Sequence, residues 1–113
     1  MSRYRTPSRS NKYYVDQPLF DLSVRFARML PEWQKELAGD PEEDRHRDLS
    51  KRVQMIRTAA EIAAPDEILR GYLIQSVTSD VSCTALQMNG MPCSKNLLIK
   101  MRHRFYYELS NMI

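Results

Sequence analysis

Lys95, Asn96, Ile99, Lys100, Arg102, His103 and Arg104 fall within one ten-residue stretch, 95–104, that contains no acidic residue. Ammonium, guanidinium and amide groups donate hydrogen bonds to phosphate oxygens. In the major groove of a duplex, lysine also reaches guanine, and asparagine can bond adenine at two points. Such chemistry needs a rigid support, and the same stretch supplies one. Leu98, Met101, Phe105, Leu109 and Met112 recur at intervals of three or four, which marks one buried helix face. Ser94 stands just before it, where its hydroxyl can accept an otherwise unpartnered N–H of the first turn. The segment therefore reads as a helix with one apolar stripe for its own domain and one basic stripe for an acidic partner. Lys95 and Asn96 lie in the first turn, the end of a recognition helix that meets base edges, while Lys100, Arg102 and Arg104 are placed to hold phosphates.

No other residue set has the pattern of a reactive site. The chain has no Gly-rich phosphate loop and no Ser/His/Asp order tied to recognisable turns. The two histidines, His46 and His103, are far apart, so no metal site is expected. Asp44, His46 and Asp48 alternate along one helix and face different directions. Cys83 and Cys93 are too few for a disulfide framework and read as free thiols. The expectation is a protein that is not an enzyme and uses no cofactor.

Charge distribution is more informative than the net charge of +3. Residues 1–14 carry Arg3, Arg5, Arg9 and Lys12 with no acid, and residues 93–113 carry four basic side chains against Glu108 alone. The middle is acidic. Positive charge at both ends points to a polyanion. Residues 1–12, polar and basic, are expected to form a disordered arm lying along phosphate. No run approaches the roughly 18 apolar residues of a membrane span, and no signal-peptide pattern opens the chain. A cytoplasmic, nucleoid-associated location is the matching expectation.

The elements that must position the basic helix follow from periodicity and punctuation. Pro18 suits the first turn of an initial helix with Leu19, Leu22, Phe26 and Met29 on its inner face. Leu30-Pro31 interrupts it, and a short second helix carries Trp33 as core anchor and Leu37 one turn later. Asp40-Pro41-Glu42-Glu43 predicts a capped start to a long third helix with Leu49, Val53, Ile56, Ala60 and Ala63 inward. Its many ion-pairing residues read as a solvated face. A fourth helix follows Ala64-Pro65-Asp66, burying Ile68, Leu69, Tyr72, Leu73 and Val77. Thr78-Ser79-Asp80 reads as the cap of a fifth helix over residues 81–88, with Val81, Ala85 and Leu86 or Met88 inward. Asn89-Gly90-Met91-Pro92 is the turn before the basic helix, with Gly90 available for a positive φ. Short helix, glycine-bearing turn and capped helix is the order of a helix-turn-helix, here over residues 81–110.

Two segments resemble a family, the small phage and mobile-element transcriptional regulators of the RinA/ArpU type, whose C-terminal half is similar to sigma-factor region 4. One is Leu30-Pro31-Glu32-Trp33-Gln34-Lys35-Glu36-Leu37, similar to the family's aromatic-containing short helix. The other runs from Asp66 to the end, with Cys93-Ser94-Lys95-Asn96-Leu97-Leu98-Ile99-Lys100-Met101-Arg102-His103-Arg104 in the place of the recognition helix. Uncharacterised Firmicutes prophage and integrative-element proteins share a start like Lys12-Tyr13-Tyr14 and a Pro-Cys before the last helix. The resemblance implies a sequence-specific DNA-binding regulator with Lys95, Asn96, Ile99 and Lys100 toward DNA. It departs in a shorter linker around Gly39-Asp40 and a longer, Pro92-containing turn.

The combined expectation is an all-α protein of five to six helices with a C-terminal helix-turn-helix. It comprises an arm (1–12), an N-terminal helical region (13–64) and a helix-turn-helix region (65–113) in one compact domain. Its partner would be double-stranded DNA, contacted through the residues named above, with His103 on the same stripe and Arg3, Arg5 and Arg9 from the arm. Homodimerisation and contact with host RNA polymerase are further expectations. The rival is a mobile-element protein that binds and inhibits a host protein, a polymerase subunit or a CRISPR nuclease.

Overall fold

The computed structural model describes residues 6–79 and 81–113, and all regular structure among them is helical. Six helices follow in order: α1 (Gln17–Arg28), α2 (Leu30–Ala38), α3 (Glu43–Ala63), α4 (Glu67–Thr78), α5 (Cys83–Met88) and α6 (Lys95–Ser110). None is long and apolar enough to cross a membrane. The radius of gyration is 14.3 Å, close to the roughly 13 Å expected of a compact chain of this length. One apolar core draws on every helix, and α6 runs through it, packed chiefly on α3 and then on α1 and α4.

The buried face of α1 differs from the expected one. Phe20, Ser23, Val24 and Ala27 point inward, whereas Leu19, Leu22 and Met29 remain 37%, 46% and 42% exposed. Both sets satisfy helical spacing, so periodicity could not separate them. Partners decide. The Phe20 ring meets the edge of Tyr106 on α6 at 5.1 Å, while the small Ser23 and Ala27, both fully buried, fit in a closely packed face. Ser23 Oγ donates to the Leu19 carbonyl at 2.9 Å, so its burial leaves no unpaired hydroxyl. Phe26 turns instead toward Trp33, at 4.8 Å and 71°.

Only Met29 separates α1 from α2, with Pro31 in the first turn of α2 where its missing N–H costs nothing. Trp33 is buried, with the Arg52 guanidinium 5.3 Å from its ring centre.

The expected capping box at Asp40 does not form. Asp40 takes φ +56, in the left-handed region that aspartate tolerates, and ends the excursion from α2. Glu42 then occupies the cap position of α3 without a side-chain bond. α3 is tied to α2 elsewhere. Arg45 Nε donates to Glu36 Oε2 at 2.6 Å and its Nη2 to Oε1 at 3.1 Å. This fork holds the Glu36 carboxyl below its usual pKa, chiefly through the hydrogen bond. Arg47 and Arg52 pair with acids one turn away in the same helix, as a solvated mixed-charge face does. Leu49, Val53, Ile56, Ala59 and Ala60 are the inner face of α3, with Ala63 only half-buried.

At the next junction the Leu69 N–H donates to Asp66 Oδ1 at 2.9 Å, capping α4. Arg70 folds back to the Ala64 and Pro65 carbonyls at 3.0 and 2.8 Å. Leu73, Ser76 and Val77 are buried, while Ile68, expected inward, is exposed.

Candidate nucleic-acid interface

α6 is held by a sequence of local devices that begins at the end of α4. Thr78 and Ser79 do not cap α5. Their hydroxyls donate to the Ile74 and Gln75 carbonyls, at 2.7 and 2.6 Å, and so close the C-terminal turn of α4. Asp80, the third residue of the expected cap, lies outside the described residues. The cap of α5 is Ser82, whose Oγ accepts from the Ala85 N–H at 3.1 Å, so the helix is shorter than the expected 81–88. Leu86 is its buried residue, and Met88 is 83% exposed.

α5 ends in a Schellman motif. The Met91 N–H donates to the Leu86 carbonyl at 3.0 Å and the Gly90 N–H to the Gln87 carbonyl at 3.1 Å, with Gly90 at φ +100. Leu86 and Met91, the residues that make the apolar contact in such a motif, are both buried. Tyr72 of α4 donates its hydroxyl to the Asn89 carbonyl at 3.2 Å, and Gln87 Nε2 to the Cys93 carbonyl at 3.1 Å. Residues 89–94 thus form a pinned bend, longer than the three or four residues of a common helix-turn-helix turn.

The Ser94 Oγ accepts from the Leu97 N–H at 3.2 Å and fixes the start of α6. Leu98, Met101, Phe105 and Leu109 face the core as their spacing requires, joined by Tyr106, while Met112 is half-buried. The predicted basic residues then divide into three groups. Lys95, Asn96 and Lys100 are exposed on the first two turns, with half-buried Ile99 between them. Arg102 sits on the flank beside the core and, with Lys95, Ile99 and His103, lines a cavity. Arg104 faces the opposite flank. Its Nη1 donates to the Tyr13 hydroxyl at 2.9 Å, its guanidinium lies 5.3 Å from the centre of the Tyr13 ring, and its Nε is 3.4 Å from Glu108.

Of the residues expected at phosphates, Lys100 is exposed, whereas Arg102 and Arg104 are half-buried and engaged within the fold. His103 is also half-buried, and burial, reinforced by the charge of Arg102, lowers its pKa below the ordinary value. Both effects favour the neutral imidazole over the cation.

Arg9 is exposed, whereas Arg3 and Arg5 lie outside the described residues. From residue 6 the N-terminal segment follows the domain. Pro7 is buried, and Thr6 Oγ1 donates to the Val15 carbonyl at 2.6 Å. The Tyr13 ring stacks obliquely on Tyr107 at 5.5 Å. This aromatic clasp covers the C-terminal half of α6 and leaves its N-terminal half as the open basic surface. Sequence reasoning noticed Lys12-Tyr13-Tyr14 but not its function as a clasp on Arg104 and Tyr107.

The cysteines are free and half-buried, and burial raises the Cys93 thiol pKa, with a smaller contribution from Cys83. No trio of potential metal ligands gathers among the described residues. The fold and its exposed surface define an all-helical protein that presents a capped, core-anchored basic helix end. Comparison with protein families, characterised proteins and solved structures finds no match for this chain.

Proposed function

We propose that this protein is a sequence-specific DNA-binding transcriptional regulator of a phage or mobile element, which reads the major groove with the N-terminal half of α6. The observation that carries the reading is the exposure of Lys95, Asn96 and Lys100 on two turns that Ser94 caps, that Leu98 and Met101 anchor, and that hold no carboxylate. Asn96 supplies the amide that bonds adenine at two points, Lys95 reaches a guanine edge or a nearby phosphate, and Lys100 takes a phosphate. Pre-positioning matters because a recognition side chain on a rigid helix loses little further freedom on binding. α5 and its pinned turn play the supporting half of the helix-turn-helix.

The test is selection of bound duplexes from a random pool. Enrichment of a defined motif supports the reading. A pool that remains random through successive rounds, at salt concentrations where non-specific contacts are screened, overturns it.

The rival function, binding a host protein such as an RNA polymerase subunit or a CRISPR nuclease, draws support from one feature. Met88 and Leu97, on either side of the turn, are exposed apolar residues, which suit a protein surface better than a phosphate backbone. Stoichiometric capture of one host protein after nuclease treatment would favour it.

A further inference from the structure

α1 carries more apolar surface than its own core uses. At 3.6 residues per turn, its apolar and small residues span roughly 220° of the circumference, about twice the stripe that packing on one core requires. One part of this arc is the buried face already described. The other part, Leu19, Leu22 and Met29, is exposed, with Phe26 half-buried against Trp33.

These four outer residues stand at i, i+3, i+7 and i+10, the spacing of a coiled-coil seam. Intervals of three, four and three read the same in both directions. A second α1 laid antiparallel therefore meets the first in register, Leu19 opposite the partner's Met29 and Leu22 opposite the partner's Phe26. Charge follows the same symmetry. Asp21, half-buried, and Arg25, exposed, lie along the polar edge of the seam. In the antiparallel register each Asp21 is offset from the partner's Arg25 by two residues, about 3 Å along the axis, well within the reach of an arginine side chain. A parallel pair would instead set Asp21 against Asp21 and Arg25 against Arg25. Antiparallel packing also brings opposite ends of the two helix dipoles together.

From this self-complementarity we infer that the outer face of α1 is a self-association surface, on which a second copy of this chain packs its own α1 antiparallel about a two-fold axis at the level of Val24. One pair of short helices buries less than the roughly 1,200 Å² of a stable complex, so the dimer is weak, with Kd on the order of 100 µM. The surface is a property of the folded chain and does not rest on DNA binding, so its test contains no DNA.

The experiment is sedimentation equilibrium of the protein from about 20 µM to about 1 mM, a range that brackets that Kd, with amide chemical shifts followed over the same dilution series. A monomer–dimer equilibrium is expected, with concentration-dependent shifts centred on Leu19, Leu22, Phe26 and Met29. Leu22→Ser removes an apolar contact from both copies and should weaken the dimer at least about tenfold. Asp21→Arg and Arg25→Asp should each weaken self-association, and an equimolar mixture of the two proteins should associate more tightly than either alone, because the heterodimer restores opposite charges. Helical circular dichroism checks the fold of each variant. The inference is overturned by a chain that stays monomeric throughout, by a Leu22→Ser protein that dimerises as the parent does, or by a mixture no tighter than its components. If a charge variant fails to fold, the Leu22→Ser comparison decides.

Discussion

Replacing Arg104 and Lys100 in turn separates a structural cation from a DNA-facing one. Lys100 is exposed, so under the proposed function Lys100→Ala should remove one phosphate contact while leaving the packing of the domain in place. Each neutralised phosphate contributes about 0.9 to the slope of log K against log salt concentration. The slope should therefore flatten by about 0.9, and thermal stability should stay within about 0.5 kcal/mol of the parent. Arg104 makes the 2.9 Å bond to Tyr13, the contact with its ring and the pair with Glu108. Its side chain is 41% exposed, so solvent screening discounts all three. A part-exposed cation–π contact is worth about 0.5–1 kcal/mol, and the hydrogen bond brings the total to about 1–2 kcal/mol. For a domain of this size that lowers Tm by roughly 5–10 °C, with the salt slope unchanged. Fluorescence anisotropy with a labelled duplex across a sodium chloride series gives the slope, and thermal melts give the stability. If Arg104→Ala flattens the slope as much as Lys100→Ala and leaves Tm in place, Arg104 contacts DNA and the clasp is misassigned.

Three further outcomes follow from the same packing. Phe20→Ala should cost about 3–5 kcal/mol of stability and Leu22→Ser under about 0.5 kcal/mol, as denaturant titration would show; the reverse order would restore the originally expected face of α1. Gly90→Ala should destabilise by about 1–2 kcal/mol, since its φ is +100 and an added Cβ would lie 3.3 Å from the Tyr72 hydroxyl; an unchanged melt would mean that the turn relaxes freely. His103 has a folded pKa below its unfolded value, so the unfolded chain binds more protons between the two. Its contribution is fully present above the unfolded value of about 6.5 and is lost as pH falls toward the folded value. His103→Gln should reduce the pH dependence of stability in that window, and an identical pH profile would contradict the burial argument.

What could be read from the sequence was local. Ser94, Asp66 and Gly90 act through partners within a few residues, and each occupies the geometry that its type implies. The inner face of α6 was legible because only one of its stripes is continuously apolar. On α1 two apolar stripes compete, and the winner is set by Tyr106, far along the chain. At residues 40–43 aspartate, proline and two glutamates support more than one start, and the turn out of α2 uses Asp40 in the left-handed region. The fate of the arginines was least accessible, since Arg104 meets a tyrosine 91 positions away. Sequence spacing showed that Arg102 flanks the basic stripe, but not that a cavity lies beside it. Lys95, Asn96 and Lys100 stand exposed on the first two turns of α6, as their place off the apolar stripe implies.

The most direct measurement of the central claim is an amide chemical-shift map of the protein with a short DNA duplex at low salt, where even non-specific contact is strong. The account predicts perturbations concentrated from Ser94 to Lys100, with Tyr107 and Glu108 beneath the Tyr13 clasp nearly unchanged. Shifts centred on α3, or a spectrum indifferent to DNA at every ratio, would contradict it.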